Sequence, residues 1–104
     1  MAYYLSKTVN MDFDAAKDAV TTQLKEVGFG ILTEIDMKKT LKEKIDADIK
    51  PYTILGACNP NFANDALKVE SQIGTLLPCN VTVRDNEDGT CEICIIDPTS
   101  MAST

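Results

Sequence analysis

The segment Tyr52–Cys58, followed at once by Asn59-Pro60, constrains the fold more than any other part of the chain. Its residues, Tyr-Thr-Ile-Leu-Gly-Ala-Cys, are apolar at both odd and even positions. Strand side chains alternate between two faces, so such a run predicts a central strand covered on both sides or by a partner. Asn is a leading N-cap. Proline suits the first helical position, where its fixed φ fits and its missing N–H is not needed. The junction therefore predicts a strand passing straight into a helix over residues 60–73, with Gly74 ending it.

The rest of the chain falls into place around this unit. Residues 3–9 read as a first strand, with Tyr3, Leu5 and Lys7 on one face and Tyr4 on the other. Phe13, Ala16, Val20, Leu24 and Val27 recur at spacings of three and four, an amphipathic helix capped by Asp12 and closed by Gly28. Residues 29–36 alternate as a second strand, with Phe29, Ile31, Thr33 and Ile35 expected on one side. Met37, Leu41 and Ile45 then form a narrow stripe among Lys38, Lys39, Lys42, Glu43 and Lys44, a short surface helix with a solvated basic face. Val81 and Val83 mark a fourth strand, Asn86-Glu87-Asp88-Gly89 a hairpin turn, and residues 90–96 a fifth strand. Residues 98–104 read as a frayed tail. The expected fold is α+β: one domain over 1–104, two layers, a five-stranded mixed sheet with helices on one face, in the order β-α-β-α-β-α-β-β.

Composition removes several function classes. The chain of 104 residues carries 10 Lys+Arg against 16 Asp+Glu, a net charge of −6, and has one arginine, so electrostatic nucleic-acid binding is not expected. It contains no histidine, which excludes imidazole-based triads, dyads and metal ligands. No apolar run reaches the ~18–20 residues of a membrane span, and the N-terminus lacks a basic-then-apolar signal. A reducing cytoplasm is the expected compartment, where an even cysteine count says little about disulfides.

Four cysteines remain as candidate chemistry: Cys58, Cys79, Cys91 and Cys94. Cys91-Glu92-Ile93-Cys94 matches the C-x-x-C spacing of redox and zinc sites. Redox pairs, however, sit at a helix N-terminus and zinc pairs in a tight turn. Here the motif lies in a predicted strand, where positions three apart point to opposite faces. Neither metal nor cofactor is expected. Asp85–Gly89 lacks the later bidentate glutamate of a calcium loop and reads as a turn.

Cys58 is the more informative thiol. It ends a buried strand against the Asn59 cap, where the positive end of a helix dipole can favour a thiolate and attract a small anion. If strands one to three are parallel, Asn10, Asp36 and Cys58 lie together at the carboxyl ends, where open α/β sheets bind ligands. Asp36 also directly precedes the second helix, and capping that helix is the favoured reading of it. The direction of the fourth strand stays open: with residues 74–78 extended it is antiparallel, bringing Cys79, Asn80 and Asp97 beside Cys58 and Asp36. With a parallel fourth strand, Cys79 lies at the far edge.

Gly28-Phe29-Gly30, Glu34-Ile35-Asp36, the run Ile54–Pro60, Leu77-Pro78-Cys79-Asn80-Val81 and Asp97-Pro98 resemble the pattern of domain-of-unknown-function family 302. The resemblance covers nearly the whole chain and implies a small α+β domain with no established activity. Cys58 and Cys79 fall on its motif positions; Cys91 and Cys94 do not. The favoured expectation is a non-catalytic homodimer that binds a small-molecule ligand near Asp36, Cys58, Asn59, Pro60, Cys79 and Asn80. The alternative is a thiol-dependent redox or sulfur-handling protein using Cys58, with Cys79 as resolving thiol.

Overall fold

The computed structural model describes residues 3–96, so the expectations for Asp97 and the tail lie outside the described residues. The elements are β1 (Tyr4–Val9), α1 (Phe13–Glu26), β2 (Gly30–Asp36), α2 (Met37–Ile45), β3 (Tyr52–Cys58), α3 (Pro60–Val69), a 3-10 turn (Ser71–Leu76), β4 (Cys79–Asp85) and β5 (Cys91–Ile96). The fold is α+β. Its five strands lie in the order β1-β5-β4-β3-β2, with every neighbouring pair antiparallel.

The expected mixed sheet is thereby corrected. β1 and β2 run in the same direction but occupy opposite edges, so they never pair. The link between them is α1, whose 14 residues span ~21 Å at 1.5 Å per residue. Four strand spacings of ~4.8 Å make the sheet about as wide. The helix thus carries the chain across the sheet rather than back to a neighbouring position. α2 then returns the chain to pair β3 directly against β2.

Helix α1 forms where its spacing predicts. Asp12 accepts from the Ala15 backbone N–H at 2.8 Å, and Gly28 takes the left-handed conformation at φ +89°. Its buried side is centred on Ala16, which packs with Leu55, Val81, Val83 and Cys91, flanked by Val9, Phe13, Val20, Leu24, Ile31 and Ile93. The register explains this set. Leu55 faces Val81 and Val81 faces Ile95, while Thr53 faces Val83 and Val83 faces Ile93, so one side of the sheet supplies the core.

Two local expectations are corrected. In β2 the register shifts between Ile31 and Thr33, which pair with the successive residues Ala57 and Gly56. Leu32 is the extra residue of a bulge and is 64% exposed. Ile31 therefore faces the core while Thr33 and Ile35 face the other side, instead of all sharing one. The expected helix over 60–73 stops at Val69 because Glu70 is extended (φ −141°, ψ 105°). The Glu70 carboxylate accepts from the Gln72 N–H at 2.9 Å and starts the 3-10 turn, so Gly74 lies inside that turn.

The β4–β5 hairpin closes as predicted. Asn86 N–H donates to the Thr90 carbonyl at 3.0 Å, with Glu87 and Gly89 at positive φ. Alternation through β5 turns Cys91 into the core, fully buried, and Cys94 to the opposite side.

Candidate functional site

Three of the sequence motifs, Gly28–Gly30, Ile54–Pro60 and Leu77–Val81, meet at one end of the sheet. Cys58 pairs with Gly30, Ala57 with Cys79, and Gly56 with Asn80. A β-carbon on Gly56 would collide with Thr33 Oγ1 and lie 2.7 Å from Pro78 Cγ, so Pro78, after its cis peptide bond, rests directly on Gly56. The Asn59 side-chain oxygen accepts from Asn61 N–H at 3.1 Å and Phe62 N–H at 3.2 Å, with Pro60 in the first helical turn. Its amide nitrogen would stand 3.1 Å from a β-carbon on Gly28. Gly28, Gly30, Gly56, Cys58, Asn59, Pro60, Pro78 and Cys79 thus build one packed corner. Asn59 and Pro60 serve its architecture.

Asp36 does not join them. It pairs with Thr53, five positions along β3 from Cys58, which at ~3.4 Å per residue is roughly 17 Å away. Its carboxylate caps α2, accepting from Lys39 N–H at 3.0 Å. The expected gathering of Asp36 with Cys58 rested on parallel strands and fails with them. β4 is antiparallel to β3, so Cys79 and Asn80 do start beside the end of β3.

The two motif thiols are neighbours in the sheet but not partners. Paired residues share a face, so Cys79 points to the side of Ala57 and Val81, while Cys58, one position on, points to the side of Gly56. All four cysteines are free. A resolving role for Cys79 toward Cys58 has no support in this register. Of the four thiols, Cys91 is held above the ordinary thiol range, first by burial and then by Asp85, Asp12 and Asp88.

The side of the sheet turned away from α1 holds a concavity of about 610 Å³. Its floor is the strand positions Asn80, Thr82, Arg84, Glu92 and Cys94, with Tyr4 and Tyr52 beside them and residues 75–78 as a wall. The polar floor is ordered. Arg84 and Glu92 are cross-strand partners joined by an ion pair, and Ser6 donates its hydroxyl to the second Glu92 oxygen at 3.1 Å. Of the sequence candidates, Cys79 and Asn80 border this concavity, whereas Cys58, Asn59, Pro60 and Asp36 do not.

Sequence reasoning missed Arg84, Glu92, Tyr52, Thr82 and Cys94. A signal was available. Extending the hairpin around Asn86–Gly89 pairs Asp85 with Cys91 and then Arg84 with Glu92. That alternation sets Thr82, Arg84, Glu92 and Cys94 on one side, polar residues in the middle of strands that need a reason to be there.

The architecture defines a small α+β domain with an antiparallel sheet covered by α1 on one side and concave on the other. The chain matches the family described as Domain of unknown function DUF302 over residues 5–104, and it belongs to that family. It is similar to the crystal structure of an uncharacterized conserved DUF302 protein from Bacillus stearothermophilus, with a TM-score of 0.88 and 28% identity over 99% of this chain and 80% of that one. No curated protein matches. Among the described residues, no helix is long and apolar enough to cross a membrane.

Proposed function

We propose that this chain is a non-catalytic small-ligand-binding domain that acts as a homodimer and takes its ligand on the concave side of the sheet. The observation that carries the reading is the concavity itself, about 610 Å³ with convergent polar groups among apolar walls. Binding sites for small molecules have this size and mixture. Asn80, Thr82 and Cys94 supply polar edges at the floor, and Tyr4, Tyr52, Leu76, Leu77 and Ile96 supply apolar contact.

Self-association is supported by apolar surface elsewhere. α3 packs chiefly on the 3-10 turn that follows it rather than on the sheet. Phe62 and Val69 are 70% and 89% exposed. A helix with an apolar side and little sheet to rest on is suited to a second copy.

The test is amide mapping by NMR with a panel of aromatic and aliphatic small molecules. Shifts clustered at Asn80, Thr82, Arg84 and Cys94 are expected. Shifts confined to the Cys58 corner, or none at all, would sink the reading. Light scattering should return twice the 11.4 kDa chain mass. A monomer at tens of micromolar would remove the dimer.

A further inference from the structure

The concave side owes its depth to side-chain size. On this face the register aligns Thr82, Cys94 and Ser6 as one row across β4, β5 and β1. All three are small. The rows on either side are taller: Tyr52, Arg84 and Glu92 form one, and Tyr4 with Ile96 the other. The low row spans two strand spacings, ~10 Å, a length suited to one small flat molecule.

The lining is aromatic and partly polar. All three tyrosines of the chain, Tyr3, Tyr4 and Tyr52, border this concavity, and none of its three phenylalanines does. The Tyr3 and Tyr4 rings already meet edge to face, with centroids 5.3 Å apart. Such rings favour further aromatic partners in offset or edge-on geometry, while their hydroxyls suit a half-wet site. At the floor, the Asn80 amide and the Thr82 hydroxyl take part in no hydrogen bond among the described residues. Both are open to the polar edge of a ligand.

Its charges are spent on each other. Of the residues lining the concavity, Arg84 and Glu92 alone are charged, and they form an ion pair. Ser6 holds the second Glu92 oxygen at 3.1 Å. An anion would have to draw Arg84 from Glu92, and a cation would have to draw Glu92 from Arg84 and Ser6. Either leaves a charged group without its partner, which offsets the new contact. Past Tyr52 and Arg84, Lys38 and Lys50 stand with Asp48 and Glu87, two of each sign, so the surroundings favour neither.

We infer that the ligand of the concave side is an uncharged aromatic molecule with a hydrogen-bonding group at its edge. It lies over Thr82 and Cys94, its ring among the tyrosines and its polar group toward Asn80 and Thr82. This rests on the proposal that the concave side binds a small ligand, and it adds the ligand's chemical class.

Four matched probes separate ring from charge: 3-phenylpropanamide, 3-phenylpropionate, 3-phenylpropylamine and 3-cyclohexylpropanamide. Each is titrated into the labelled chain and followed by amide NMR. The phenyl amide should shift Thr82, Cys94 and Tyr52 and bind roughly fivefold tighter than the acid or the amine, the scale of one lost polar contact. It should exceed the cyclohexyl amide by about threefold, the scale of an aromatic pair. Glu92→Gln releases Arg84 and should bring the acid level with the phenyl amide or above it, an unaltered amide spectrum elsewhere certifying the fold. Acid or amine binding the natural chain as tightly as the phenyl amide overturns the uncharged class, and equal binding of the cyclohexyl amide overturns the aromatic one. A Glu92→Gln chain that still prefers the amide overturns the role given to the ion pair. Each of these leaves the ligand-binding proposal standing, whereas no shifts on the concave side with any probe overturn both.

Discussion

Pro78 occupies the space above Gly56 that a side chain at that position would need. A β-carbon there would lie 2.7 Å from Pro78 Cγ and collide with Thr33 Oγ1 as well. Two separate sequence motifs, Ile54–Pro60 and Leu77–Val81, therefore meet, together with Thr33 of β2, where one methyl group is absent. Gly56→Ala should destabilise the fold, because ring, hydroxyl and backbone must all move, by ~1–3 kcal/mol on the scale of overpacked cores. Urea titration would register this as a lower midpoint. An unchanged midpoint would mean that Pro78 can shift at no cost.

That corner was half legible in the sequence. Asn59-Pro60 and Asp12 announced their helices because capping is local chemistry, complete within four residues. The neighbourhood of Gly56 and Pro78 was not, since it depends on which strand lies beside β3. The order β1-β5-β4-β3-β2 is set by where α1 deposits the chain, and periodicity does not encode that. Asp36 was legible as the cap of α2, which it is, but its expected place beside Cys58 failed for the same reason as the corner: strand direction decides which strand ends are neighbours. The concave side was partly readable, because Arg84 and Glu92 follow from the hairpin register. Leu32 was not, since one inserted residue leaves the alternation around it looking regular.

The Asn59 cap yields a separable prediction. Its oxygen serves both Asn61 and Phe62 N–H groups, so Asn59→Ala should cost ~0.5–2 kcal/mol. Cys58→Ser, one residue earlier, leaves the cap intact and should cost less. Guanidinium titration of the two variants orders them. If Cys58→Ser proves the more damaging, packing at Cys58 matters more than the helix start.

Arg84 and Glu92 form the ion pair on the concave floor, with side chains 49% and 24% exposed. A pair so placed contributes little to stability, and a double-mutant cycle of Arg84→Gln with Glu92→Gln should give a coupling of about 0.2–1 kcal/mol. The coupling should shrink in high salt. A coupling above that range that resists salt would mark the pair as a structural element shielded from water.

Cys91 gives a prediction about alkaline pH. Its side chain is fully buried, its thiol lies 3.4 Å from the Met11 carbonyl as a donor, and burial with three nearby carboxylates raises its pKa. Two consequences differ in observable. Alkylation of the native chain should spare Cys91 while half-buried Cys58, Cys79 and Cys94 are modified first, as mass mapping would show. Stability should also respond to pH in a definite sense. In the unfolded chain the thiol ionises near ~8.5, whereas in the folded chain it holds its proton to higher pH. Above the unfolded value the unfolded state binds fewer protons, so the stabilisation present at lower pH is lost as pH rises, with a limiting slope of ~1.4 kcal/mol per unit until the folded thiol ionises too. Cys91→Ala should have lower stability at neutral pH, from the cavity it leaves, and a shallower decline between neutral and alkaline conditions. Parallel pH profiles for the two proteins would show that Cys91 ionises alike in the folded and unfolded chain.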